Sequence, residues 1–160
     1  LHTKNSKLLM SDQSTKSKIK KDLISFMKSG EKDKVEILRY ASSFIKQEEK
    51  DKNIILSESQ TIQIIKKVLK RNQESFDQFT KAGRTDLADK EKKEMDIIGI
   101  YLPEEMTEDA IIDAVKESIV NCQASSIKDM GKVMADVKKL HGDNANMSLV
   151  SKYVREFLNN

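Results

Sequence analysis

The chain has 160 residues, 34% charged and 38% apolar, with no tryptophan and one proline, enough for one domain or two small ones built from helices with charged outer faces. A single cysteine, Cys122, excludes an intrachain disulfide and fits a reducing compartment, and no apolar run approaches the ~20 residues of a membrane span. The net charge of +3 hides a gradient: residues 1–28 hold seven lysines against two aspartates, whereas residues 86–117 hold eleven acids against four lysines. That asymmetry fits a polyanion partner, self-association or no role at all.

The first 13 residues are expected to lie outside the fold, as a disordered N-terminus or a cloning remnant. Met10-Ser11 reads as an ordinary start, and residues 1–9 carry two lysines but no arginine. From Ser14 a first helix places Ile19, Leu23, Phe26 and Met27 on one stripe and ends at Ser29-Gly30. Lys16, Lys18, Lys20 and Lys21 crowd its first turns, either as a solvated face or as a patch for phosphate. A second helix, Lys34 to Glu49, has Val35, Leu38 and Ile45 on one row and Ile37, Ala41 and Phe44 beside it, wide enough for burial on two sides. Arg39 falls inside this segment, and the spacing predicts that it snorkels to a carboxylate. Lys50 to Ile55 reads as a charged connector.

Ser57 and Gln60 form a capping box that opens a long third helix, through to Lys81. Ile62, Ile65, Leu69, Phe76 and Phe79 make its apolar row. Lys66, Lys67, Lys70 and Arg71 make a basic strip with no interleaved aromatic to stack on bases. Gly83 suits a left-handed cap, and Thr85 with Asp86 is expected to cap a fourth helix bearing Leu87, Glu91, Glu94, Met95 and Ile98. Tyr101-Leu102-Pro103 closes it, because the residue before a proline leaves the helical region. Beyond Pro103, Thr107 starts a helix with Ile111, Ile112, Val115 and Ile119. Ser126 and Asp129 suggest an acidic capping box before Met130, Val133, Met134 and Val137. Residues 141–146 form a turn, and Leu149, Val150, Tyr153, Val154, Phe157 and Leu158 lie on a last helix.

The pattern predicts an all-α protein with an N-terminal bundle of about four helices over 14–102 and a small three-helix domain over 103–160. Enzyme chemistry is hard to find. His2 and His141 stand far apart with no ligand at zinc spacing, and there is no phosphate loop, dinucleotide fingerprint or serine elbow. Acid pairs such as Glu104-Glu105 belong to a solvated charged segment, without the partly desolvated site a general acid needs. No cofactor, metal or membrane partner is expected.

The phrase Phe79-Thr80-Lys81-Ala82-Gly83-Arg84-Thr85-Asp86-Leu87-Ala88, followed by an acidic helix and Tyr101-Leu102-Pro103, resembles the YqeY family. Ile37-Leu38-Arg39 with Ala41 and Ile45-Lys46 is similar to that family's second helix, and residues 124–134 to its C-terminal signature. The family is related to the helical tail of the B subunit of glutamyl/aspartyl-tRNA amidotransferase, where the tail helps hold the tRNA while other parts do the chemistry. The resemblance therefore implies a non-catalytic accessory protein contacting tRNA or an RNA–protein complex. Lys128 and Lys132, which match the signature, would meet phosphates together with Lys138 and Lys139. One departure is the turn His141-Gly142-Asp143-Asn144-Ala145-Asn146, where the family commonly carries a basic phrase. Two alternatives stay open: a protein–protein adaptor docking through residues 86–117 or the hairpin seam, and a subunit of a carbon–nitrogen ligase with glutamine as amido-N-donor, dependent on amidotransferase partners. The expected compartment is cytoplasmic, or mitochondrial in a eukaryote.

Overall fold

The computed structural model describes residues 14–159, and every regular element among them is helical. The expectations for residues 1–13, His2 included, lie outside the described residues. The chain divides into two compact units between Leu102 and Pro103.

The first unit comprises α1 (Thr15–Ser29), α2 (Lys32–Lys52), α3 (Glu58–Lys81) and α4 (Thr85–Gly99). Its core gathers one face from each helix, with Leu38, Ile65 and Ile98 at most 1% exposed. α2 packs against α1, α3 and α4, as its double apolar row requires. Local chemistry sets the ends. Gly30 takes a φ of 75° after α1, and Gly83 a φ of 71° after α3. There the Arg84 N–H reaches back to the Phe79 carbonyl at 2.9 Å, closing the helix with a left-handed residue. The box that opens α3 is complete: Gln60 N–H donates to Ser57 Oγ at 3.2 Å, and Ser57 N–H to Gln60 Oε1 at 2.9 Å.

Four sequence expectations are corrected here. α2 runs through Lys50 and Lys52, whose charges suit the negative end of a helix, and stops at Asn53 with a φ of 53°. The first half of the expected connector is thus helix. Arg84, not Thr85 or Asp86, is the residue before α4. It caps nothing with its side chain and instead holds the Asp86 carboxylate at 3.3 Å through both Nε and Nη2. Arg39 is exposed and lies 3.9 Å from the Met27 sulfur, with no carboxylate in ion-pair reach among the described residues. The apolar row of α3 is interrupted by Asn72, which is 1% exposed, so that Phe76 and Phe79 stand outside the main core and are only half-buried.

Polar ties link distant segments of this unit. Glu58, the first residue of α3, accepts the Thr15 N–H on its two carboxylate oxygens at 3.1 and 3.0 Å and also the Thr15 hydroxyl, placing a negative charge at the start of α1. Lys16 Nζ meets Glu49 Oε2 at 2.8 Å, so this lysine of the N-terminal run is held in the fold. The Tyr101 hydroxyl, just past α4, donates to Asp22 of α1.

The second unit holds α5 (Glu108–Asn121), a 3-10 turn (Ile127–Asp129), α6 (Met130–His141) and α7 (Met147–Leu158). Ile111, Val115, Val133, Val137, Val150 and Val154 are 1% exposed or less and fill its core. Thr107 and Asn146 cap α5 and α7 by accepting backbone N–H groups. The helix expected from Ser126 onward begins instead as the 3-10 turn. Asp129 accepts the N–H of Ser125 at 2.9 Å and of Ser126 at 3.4 Å, the reciprocal arm of the anticipated box. The turn over residues 141–146 is built for packing. Ala145 is 6% exposed, Asn144 accepts the Met106 N–H at 2.9 Å, and a Cβ on Gly142 would stand 2.4 Å from the Lys138 carbonyl oxygen.

Candidate nucleic-acid interface

The four lysines singled out in the sequence all belong to the second unit and are all exposed. Lys128 sits on the 3-10 turn, and Lys132, Lys138 and Lys139 lie on α6. At 3.6 residues per turn the three α6 lysines fall within an arc of ~120°, with Lys132 and Lys139 nearly in line and ~10 Å apart along the axis. Val133 and Val137 turn the opposite side of the same helix into the core. Between the lysines the exposed side carries only Gly131 and Ala135, so a rod-like polyanion meets no bulky side chain there. Lys138 and Lys139 also occupy the last turn of α6, where their charge suits the negative end of the helix dipole.

The electrostatics of this face differ from one lysine to the next. Lys132 Nζ lies 3.9 Å from Asp129 Oδ1, a loose and exposed pair. The Asp129 carboxyl is held below its ordinary value first by the N–H groups of Ser125 and Ser126 and then by Lys132. Among the described residues, no acid lies within ion-pair distance of Lys128, Lys138 or Lys139. The acid on α6, Asp136, turns toward α5 and accepts the Ser118 hydroxyl at 2.6 Å. Cys122 is half-buried, with its sulfur 3.8 Å from the Lys132 carbonyl oxygen, a packing role for a thiol.

The other basic strip behaves differently. Arg71 of α3 stacks over the Phe44 ring at 5.7 Å, so part of that strip is engaged within its own unit. Four of the eleven acids in residues 86–117 are likewise occupied: Asp86 by Arg84, Glu91 and Glu94 by Asn72, and Glu108 by the Tyr153 hydroxyl. The cluster of Asn72, Glu91 and Glu94 was not anticipated. Its one signal in the sequence is an amide on the apolar row of α3.

Among the described residues no helix is long and apolar enough to cross a membrane. The chain is 33% identical to an uncharacterized protein of Schizosaccharomyces pombe over 86 residues, covering 54% of this chain and 70% of that protein. It is 28% identical over 107 residues to the mitochondrial protein "Altered inheritance of mitochondria protein 41" of Pyrenophora tritici-repentis, covering 64% of this chain and 58% of that protein. The model of the Yqey-like protein family matches residues 16–158, which takes in both units, and the chain belongs to that family.

Proposed function

We propose that this chain is a helical accessory protein that holds a tRNA, or an RNA–protein complex, against the lysine face of its second unit. The observation that carries this reading is the placement of Lys128, Lys138 and Lys139: exposed, without acidic partners among the described residues, and next to the small residues Gly131 and Ala135. Such cations neutralise phosphates and release counterions, which gives affinity without base reading. The relation of the family to the amidotransferase tail supports tRNA as the polyanion. The adaptor reading draws less support, because several acids of residues 86–117 already serve intramolecular contacts. The name of the Pyrenophora relative favours a mitochondrial setting over a cytoplasmic one.

The test is charge reversal. Lys128→Glu with Lys138→Glu and Lys139→Glu abolishes tRNA retention while the helical circular-dichroism signal stays intact. Unchanged binding by the folded triple variant rejects this face as the interface.

A further inference from the structure

In the first unit α1 and α2 run antiparallel. Lys16 and Glu49 tie them at one end at 2.8 Å, and near the other Arg39 Nη2 lies 3.9 Å from the Met27 sulfur. At that second end an open groove of about 540 Å³ runs between the two helices, lined by Phe26, Met27 and Val35 with Lys32, Glu36 and Arg39 around them. Two large apolar side chains stay in water on this side of α1: Ile24 is 45% exposed and Met27 52%, one turn apart. The other exposed large apolar residues of the unit, among those described, are Ile54, Ile55 and Ile100, in a connection or at a helix end. Charge along the seam is one-sided. Lys20 stands two turns before Met27 and Lys46 two turns after Arg39, so both continue the same sides of their helices. Among the described residues no acid lies within ion-pair distance of Lys20, Lys32, Arg39 or Lys46, and Glu36 is the one acid lining the groove.

We propose that this groove docks an acidic amphipathic helix of a protein partner, with its apolar stripe on Ile24, Met27 and the groove lining and its carboxylates against Arg39, Lys32 and Lys46. Charge complementarity selects that partner: cations without acids of their own flank an apolar strip, so the occupant must be apolar on one line and acidic beside it. Two packed helices offer a ready groove for the side-chain ridge of a third. Arg39 then meets the carboxylate that its position in an apolar segment calls for and that its own chain does not supply. A phosphate backbone gains nothing from the apolar strip, and Phe26, the one aromatic in the lining, already carries Lys34 over its ring at 5.0 Å. A second copy fits poorly. The acidic helices of this chain, α4 and α5, bury their apolar sides in their own cores through Ile98 and through Ile111 and Val115, and have no free stripe to offer. The site belongs to the first unit and stands independently of the lysine face of the second.

The experiment is fluorescence anisotropy of the full chain with a dye-labelled helical peptide of about 15 residues, the length of α1, bearing leucines at i, i+3, i+4 and i+7 spacing with glutamates beside them. A scrambled peptide of the same composition and a version with lysine in place of glutamate are the controls. The expected result is saturable binding of the acidic helix alone. Arg39→Glu/Lys46→Glu and Ile24→Gln/Met27→Gln, all at exposed positions, each weaken it at least tenfold with the helical circular-dichroism signal unchanged. The charge-reversed variant gains binding to the lysine peptide, which a merely disturbed fold would not do. Equal binding of the scrambled peptide, no binding, or full binding by both folded variants overturns the proposal. So does concentration-dependent dimerisation, or binding to heparin or phosphatidylserine vesicles, that these variants abolish while the peptide stays unbound; those results would assign the groove to a second copy, a polyanion or a membrane surface.

Discussion

The two units handle polar groups in opposite ways. The first draws them inward: Thr15, Thr61 and Asn72 are buried, Glu58 caps a helix it does not belong to, and Asp22 accepts the Tyr101 hydroxyl across 79 positions of sequence. The second keeps a core mostly of valine, with Ser118 the one buried polar side chain among its described residues, and leaves Lys128, Lys138 and Lys139 on the surface with no acid in ion-pair reach among those residues. Buried polar contacts specify which helices pair, because each stranded donor or acceptor costs about 1–3 kcal/mol. Unpaired surface cations contribute little to stability and remain available to a polyanion. The first unit is thus organised around its interior and the second around its exterior.

The sharpest way to separate the units is to cut equal volumes from their cores. Ile111→Ala and Ile65→Ala each remove a side chain that is at most 1% exposed, at a cost of about 2–5 kcal/mol. A core as small as that of the second unit supplies only about 3–5 kcal/mol. Ile111→Ala therefore melts residues 103–158, seen as lost hydrogen-exchange protection there, whereas Ile65→Ala leaves its larger unit folded but weakened. Equal loss of protection in both units would contradict the contrast.

A smaller effect is expected at the turn before α7. Gly142→Ala forces a Cβ to within 2.4 Å of the Lys138 backbone oxygen, which must shift, at about 1–3 kcal/mol. Urea unfolding measures it, and an unchanged midpoint would show that the turn yields freely. Smaller again is Tyr101→Phe, which deletes the hydroxyl bound to Asp22 for about 1–2 kcal/mol. Burial first, and Asp22 second, raise the Tyr101 phenol above its ordinary value. The unfolded chain releases that proton near pH 10, before the folded one does. Stability from this group is full below that pH and falls as pH rises through the folded value, a loss that Tyr101→Phe reduces. The smallest effect belongs to Asp129, whose lowered value gives the opposite sign. Its contribution is present above the ordinary carboxylate range and fades as pH falls through the folded value, with Asp129→Asn removing that acid dependence of the second unit.

These contrasts were unevenly legible in the sequence. Caps and stripes are local, so Ser57 with Gln60, Gly83, and the spacing of Val133 and Val137 foretell α3, its end and the buried side of α6. Exposure of Lys132, Lys138 and Lys139 follows from the same periodicity, whereas Lys128 lies on the 3-10 turn before that helix. Which charges are engaged depends on tertiary contacts that no spacing reveals. Lys16 looks like a free patch residue and is tied to Glu49, while Arg39 looks like an ion-pair partner and is not. Asn72 sits on an apolar row for reasons that become visible only when α4 brings Glu91 and Glu94 to it. Boundaries failed where competing end signals lay close together, as at Asn53 and Arg84.

The central claim is that the outward-facing lysines of the second unit hold RNA phosphate. Its most direct measurement is tRNA affinity of the full chain across a salt series, with heparin as a matched non-RNA polyanion. Four phosphate contacts predict log K falling with log salt at a slope of about −3 to −4. The account predicts that steep slope together with tighter binding to tRNA than to heparin. Salt-independent binding, equal affinity for the two polyanions, or no binding at low salt would contradict it.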